Sequence, residues 1–188
     1  FTVAKKEFGF NFDKANFIAG HSLGEYSALC CYGALKFEDT LKILQKRGKF
    51  MQDAVSADEG SMLAVLGSDL KVIENVLKTN NRQCYIANDN SPQQVVLSGL
   101  KKSIDLFSED LDKLKIRNMK LNVSAPFHCK LMKTATVNMR EKILNLNLNE
   151  IRKPIVSNFT AKPTISTSEI KNLLVSQIEG RVRWLESI

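Results

Sequence analysis

Histidine is scarce in this chain of 188 residues. There are two, so chemistry that needs an imidazole can draw only on His21 and His128. Cysteine is almost as sparse: Cys30, Cys31, Cys84 and Cys129 show neither zinc spacing nor the density of a disulfide scaffold, and they read as small core residues in a reducing compartment. Long apolar runs are missing too. None approaches the roughly 20 residues of a membrane helix, so a soluble protein without a membrane partner is expected. Internal repeats and low-complexity stretches are also absent. Acidic residues are outnumbered, 20 against 27 basic, giving a net charge of +7. The excess comes from 20 Lys with only 7 Arg, beside 15 Asn, a bias more typical of a low-GC genome than of a binding patch.

What is present is ordinary globular composition, 44% apolar and 25% charged, which excludes a disordered tail or a fibrous repeat. The length suits one domain with a smaller subdomain. The chain starts at Phe1 and stops at Ile188 with no tail, so an internal fragment is expected, with any targeting segment out of view. Compartment stays open between bacterial-type cytoplasm and a plastid or mitochondrial interior.

Hydrophobic rhythm supplies the elements. Residues 16–20 read as a buried strand, 23–34 as a helix broken at Gly33, and 37–55 as a longer helix. Residues 61–67, 84–87, 94–98 and 118–123 read as strands, with helices over 69–78 and 101–115 and a turn over 88–92. That order, βαββαβ, is the ferredoxin-like pattern, inserted as residues 59–123 into an α/β core formed by 1–58 and 124–188. The core resumes with a helix through Met132, Ala135, Met139 and Ile143 and a strand over 154–158. A capping-box signal at Ser166–Glu169 then opens a last helix, with Ile170, Leu173, Leu174 and Ile178 on one face.

Gly20-His21-Ser22-Leu23-Gly24 fits G-x-S-x-G between a strand and a helix, the setting of a nucleophile elbow above a parallel sheet. The glycines answer the tight reversal, and the Leu23 N–H at the helix start is a candidate oxyanion donor. The blander reading is a Gly-rich turn in which Ser22 merely caps the helix. A serine needs a base. His21 adjoins Ser22, where neighbouring side chains diverge, and is a poor one. His128, at a strand end turned by Pro126, is the candidate. No acid stands out as third member, so a backbone carbonyl could orient the imidazole. A catalytic Cys129 has the weaker setting.

Arg47 interrupts the apolar stripe of its helix, three residues after Leu44 and four before Met51. Such an arginine must snorkel, pair with a carboxylate, or await an anionic ligand. Its planar fork suits a carboxylate, and Gly48 leaves room for one. On the last reading the substrate is an acyl group with a free carboxylate at its far end. Gln177, on the apolar face of the last helix, needs buried partners; it either lines the site or plays a structural role.

These residues carry a family resemblance. Gly20–Ala28, Gln45–Gly48 with Met51-Gln52, Ala87–Pro92 with Val95–Gly99, Val123–His128 and Val182-Arg183-Trp184 together resemble malonyl-CoA:acyl-carrier-protein transacylase, in order and without large gaps. The resemblance implies a hydrolase-like parallel-sheet core with the ferredoxin-like insert, and ping-pong malonyl transfer through a Ser22 ester. It assigns His128 as general base and acid, Arg47 as clamp for the malonyl carboxylate, and Leu23 N–H as oxyanion donor. Gln177 would orient His128 through its backbone carbonyl, and Phe127 matches the form associated with malonyl rather than methylmalonyl. No cofactor and no metal are implied. The substrates are malonyl-CoA and the phosphopantetheine of acyl carrier protein, an acidic partner that a basic rim would steer; the enzyme would act as a monomer. The family's N-terminal Gly-Gln-Gly-Ser-Gln-like loop and C-terminal Gly-Pro-Gly-Lys-like segment have no counterpart here, so the piece alone is expected to be poorly active.

Competing readings are a serine thioesterase or esterase, disfavoured by a cation in the pocket wall, and the acyltransferase domain of a polyketide synthase. An RNA-binding role for the insert lacks interleaved basic and aromatic residues on its strands, and no nucleic-acid partner is expected.

Overall fold

Strict alternation of side chains builds the centre of the molecule. The computed structural model describes residues 1–56, 58–123 and 125–188; Ser124, expected where the core resumes, lies outside them. Strand β1 (Gly60–Leu66) pairs antiparallel with β3 (Gln94–Leu100) and β4 (Asn118–Lys120), and β3 pairs antiparallel with β2 (Cys84–Ser91). With β7 (Val182–Arg183), parallel to β2, the sheet order is β4-β1-β3-β2-β7. Helix α4 (Leu70–Thr79) follows β1, and α5 (Lys101–Lys113) follows β3. Asp69 caps α4 by accepting from Val72 N at 2.9 Å.

Because side chains alternate across a strand, the sheet buries two different faces. Leu63, Val65, Val95 and Leu97 pack with Ile73 of α4 and Ile104, Phe107 and Leu111 of α5. Met62, Ala64, Ala87 and Val96 face the other way, against Leu121 and Phe127. The approach on that side is close: a Cβ on Gly60 would lie 2.2 Å from the Pro126 ring.

Helices dominate the rest of the chain. Helices α2 (Leu23–Cys31), α3 (Phe37–Gln52), α6 (Lys133–Leu144) and α7 (Thr167–Glu179) surround one core. Tyr26, Leu29, Ile43, Met51, Met139, Ile143, Leu174 and Ile178 fill it, with Ile18 and Ile155. Short helices α1 (Thr2–Glu7) and α8 (Trp184–Ser187) lie at the ends. Helix α2 stops in a Schellman motif: Gly33 takes φ +76°, its N–H donates to Cys30 O, and Ala34 N–H donates to Leu29 O.

Several expectations need correction. The strand over 16–20 reduces to one parallel bridge, Ile18 to Ile155, because the chain turns into the Ser22 elbow directly afterwards. Strand β5 (Ile155–Val156) finds its ladder antiparallel, with β6 (Pro163–Thr164). Among the described residues, parallel pairing is confined to that bridge and the β2–β7 ladder, so the sheet is mostly antiparallel. The turn expected over 88–92 is mostly strand. Asn88 and Asp89 pair with β3 on one side and β7 on the other, across register shifts, and two ladders override the turn preference of Asn and Asp. Of the four cysteines only Cys129 is buried; Cys31 is exposed at the end of α2. No helix among the described residues is long and apolar enough to cross a membrane.

Candidate active site

The elbow at Ser22 is held in a conformation that L-residues avoid. Ser22 has φ 52° and ψ −107°, a costly backbone state that persists only where surroundings over-determine it. Asn158, just after β5, does so: its Oδ1 accepts from Ser22 N at 2.6 Å and its Nδ2 donates to Gly20 O at 2.9 Å. The two elbow glycines differ in need. A Cβ on Gly20 would lie 2.0 Å from Gly24 O, whereas one on Gly24 would meet nothing within 4 Å. Steric necessity therefore applies to Gly20 alone.

Ser22 stands at the N-cap of α2 but makes no side-chain capping bond. Its hydroxyl lies 2.7 Å from His128 Nε2, which disposes of the capping alternative. Strain recurs at His128, φ 57°. On the far side of the ring, Nδ1 lies 2.8 Å from Gln177 O. A backbone carbonyl only accepts, so Nδ1 carries the proton and Nε2 is left to accept from Ser22. Burial, reinforced by the Arg47 charge, lowers the imidazole pKa to about 3. The ring is thus neutral, with Nε2 unprotonated and facing Ser22 Oγ. His21, by contrast, bonds Asn90 Oδ1 at 2.8 Å and meets the Trp184 ring edge-on.

Arg47 does not snorkel. It is 6% exposed, its Nη2 donates to Ser22 Oγ at 3.0 Å and to Gln177 Oε1 at 2.9 Å, and its guanidinium carbon lies 5.7 Å from the Tyr26 ring centre. Among the described residues its Nε–H meets no acceptor and no carboxylate lies within ion-pair distance of it. Desolvation lowers its pKa. A buried, partly unpaired guanidinium beside a nucleophile-competent hydroxyl has room for an anionic group.

A cavity of about 300 Å³ opens here, lined by His21, Ser22, Arg47, Gly48, Met51, Met62, Asn88, Phe127 and His128. Both halves of the molecule contribute: Met62 and Asn88 come from the sheet. Gly48 leaves open space, since a Cβ there would touch nothing within 4 Å. Leu23 opens α2, and first-turn N–H groups lack intrahelical acceptors, so its amide is available for a developing oxyanion. The buried Cys129 thiol donates to Pro126 O at 3.1 Å and burial raises its pKa, which leaves little thiolate. No group of three or more His, Cys, Asp or Glu among the described residues is placed to hold a metal.

The family model described as the acyl transferase domain matches residues 8–178. The chain belongs to the acyl transferase domain family. The malonyl CoA-acyl carrier protein transacylase of Bacillus subtilis is 40% identical over 177 residues, 92% of this chain and 56% of that protein. Among solved structures, the acyl-carrier-protein-S-malonyltransferase of Bartonella henselae superposes with a TM-score of 0.91 at 40% identity, covering 98% of this chain and 60% of that one. A type II PKS acyl-carrier protein in complex with its malonyl-transacylase gives a TM-score of 0.90 at 33% identity, covering 98% and 60%. The chain thus spans a little over half the length of these acyl transferases.

Two residues of this cluster escape sequence reasoning. Asn158 reaches Ser22 across 136 positions and Glu25 reaches Gln177 across 152. Glu25 stood in plain view three residues after Ser22, but a first-turn acid is ordinarily a surface helix-dipole partner. Only its burial, 1% exposed, marks it.

Proposed function

We propose that this chain carries the reacting centre of a malonyl-CoA:acyl-carrier-protein transacylase serving fatty acid synthesis. The observation that carries the reading is Arg47, a buried cation donating to the same Ser22 oxygen that faces His128. A pocket for a neutral acyl chain gains nothing from a guanidinium in its wall. One for malonyl gains a bidentate grip on the distal carboxylate while the thioester carbonyl lies at Ser22.

In the first half-reaction His128 Nε2 takes the Ser22 proton as Oγ bonds the thioester carbon. The oxyanion forms at the Leu23 N–H, the C–S bond breaks, and His128 returns the proton to the departing coenzyme A thiolate. In the second, His128 deprotonates the phosphopantetheine thiol, sulfur attacks the malonyl ester, and the proton goes back to Ser22. Atoms balance, and no cofactor is needed. Gln177 O keeps His128 in the required tautomer throughout. Phe127 lines the cavity, and its resemblance to the family form associated with malonyl rather than methylmalonyl supports the same substrate.

The same reading divides the chain into a hydrolase-like core, 1–58 and 124–188, and a ferredoxin-like subdomain, 59–123. The Ile18–Ile155 parallel bridge beneath the elbow supports the first, and the βαββαβ order with strands arranged 4-1-3-2 supports the second. Acyl carrier protein is the proposed second substrate, and the net charge of +7 favours an acidic partner.

Intact-protein mass spectrometry tests this directly. The full-length protein mixed with malonyl-CoA should gain one malonyl group and lose it to acyl carrier protein bearing phosphopantetheine. Ser22→Ala should take up none; uptake at full stoichiometry by that variant would require another nucleophile.

A further inference from the structure

Arg47 and Ser22 are joined to a buried carboxylate that the two half-reactions leave unused. Glu25 Oε2 accepts from Gln177 Nε2 at 2.6 Å and from the Asn158 backbone N–H at 3.2 Å. The same Gln177 Nε2 donates to Ser22 O at 3.0 Å, while Gln177 Oε1 accepts from Arg47 Nη2 at 2.9 Å. A side-chain amide has two ends and can be turned either way. An ionised carboxylate only accepts, so Glu25 joins the Ser22 carbonyl in holding the NH2 end of Gln177 and leaves the oxygen to Arg47, which only donates.

We infer that Glu25 is a positioning residue: by anchoring the NH2 end of the Gln177 amide it aims the Arg47 guanidinium at Ser22 Oγ and steadies the backbone carbonyl that orients His128. It touches neither substrate nor the reacting atoms. Three strands of the site pass through Gln177, namely Arg47 by its Oε1, Ser22 by its Nε2 and His128 by its backbone O. Glu25 and Asn158 close the ring, since Asn158 bonds both Glu25 and the elbow. Without the carboxylate the NH2 end of Gln177 would keep the Ser22 carbonyl as its one remaining anchor, at 3.0 Å, and the amide that receives Arg47 would be held more loosely.

Protonation weakens the same anchor, because a neutral carboxyl accepts less strongly than an anion. Burial raises the Glu25 pKa to about 7, against the lowering effects of Gln177, the Asn158 N–H and Arg47. Of the charged and titratable groups around it, Arg47 on α3 is the cation, Tyr26 is the neighbour on its own helix, and His128 lies beyond Gln177; both of the last are neutral at pH 7. The anion that sets the amide therefore predominates above about pH 7 and is lost as pH falls below it. His128 cannot produce that limb, since its pKa lies near 3.

This inference rests on Ser22 and His128 acting as proposed, so its test reads Ser22 reactivity in two ways. The full-length wild type, Glu25→Gln and Glu25→Asp are treated across pH 6–8 with a fluorophosphonate, which labels an activated serine whatever its acyl preference, and separately with malonyl-CoA. Rates are followed by intact mass, and folding is checked by thermal melts. Wild-type rates should rise about tenfold with a midpoint near pH 7. Glu25→Gln should be about tenfold slower at pH 8 and flat with pH, and Glu25→Asp, still acceptor-only, should keep a limb. A Glu25→Gln variant with the wild-type rate and limb overturns the inference. If that variant does not fold, a folded Glu25→Asp lacking any limb overturns it instead. Fluorophosphonate labelling without malonyl uptake by the wild type would defeat the malonyl reading, while Glu25 would still be judged on its phosphonate rates.

Discussion

The sheet with its two helices and the four-helix surround of Ser22 use burial in opposite ways. In the first, eight fully buried side chains from Leu63 to Leu111 form an apolar cluster, registers run regularly along β1 and β3, and the bidentate contact of Arg82 with Asp110, 2.7 Å at its shorter arm, sits at the margin. In the second, Glu25, Arg47, His128, Asn158 and Gln177 are all buried together, and Ser22 and His128 both hold positive φ. Desolvating charge and straining backbone cost stability, whereas an apolar core repays the entropy of folding. The two regions meet where Phe127 packs on the sheet, so the regular unit backs the strained one and lends Met62 and Asn88 to the cavity wall. Apolar packing and buried charge are concentrated in different parts of one chain.

That contrast breaks most visibly if a sheet residue is cut away. Phe107→Ala removes a fully buried ring between α5 and the sheet and should cost about 3–5 kcal/mol, read as a lowered denaturation midpoint. Serine acylation per folded molecule should be nearly unchanged. Arg47→Ala should do the reverse. Malonyl transfer should fall by roughly 10²-fold or more, the expected loss for one partner of a buried charge contact. Activity toward acetyl-CoA should rise relative to malonyl-CoA, and unchanged acyl preference would rule out the clamp.

Within the strained region the elbow glycines divide the effect further. Gly20→Ala, driven into Gly24 O, should cost about 3 kcal/mol and most of the Ser22 labelling. Gly24→Ala, pointing into open space on a helix, should be neutral or add about 0.5–1 kcal/mol. Equal effects at both positions would mean that the elbow tolerates a shift of its backbone. Another small change is expected for Asp69→Ala, which removes the α4 cap for about 1 kcal/mol in thermal melts and leaves Ser22 labelling untouched.

Local pattern was enough to find most helices, because their apolar stripes and caps are written in adjacent residues: Ser166 does accept from Glu169 N, and Asp69 caps α4. It was enough also to single out Ser22, His128 and Arg47, since a G-x-S-x-G turn, a rare histidine and a cation in an apolar stripe are each anomalous where they stand. It misjudged Asn88 and Asp89, whose turn preference yields to pairing on both sides, and it predicted over 16–20 a strand that the structure reduces to a single bridge at Ile18. Nor does any local pattern distinguish Gly20 from Gly24.

What the sequence by itself determined was therefore the inventory: which residues are chemically out of place, and which segments can be helix or strand. Only the tertiary structure decided how they combine. Bringing Ser22 within 2.7 Å of His128 and tying Glu25, Gln177 and Arg47 into one network spans separations of 106 to 152 residues. Hydrogen-bond partners are chosen by proximity in the packed core, and burial, which turns an ordinary helix-end glutamate into a group with a pKa near 7, is a property of everything around a residue and of nothing adjacent to it in the chain.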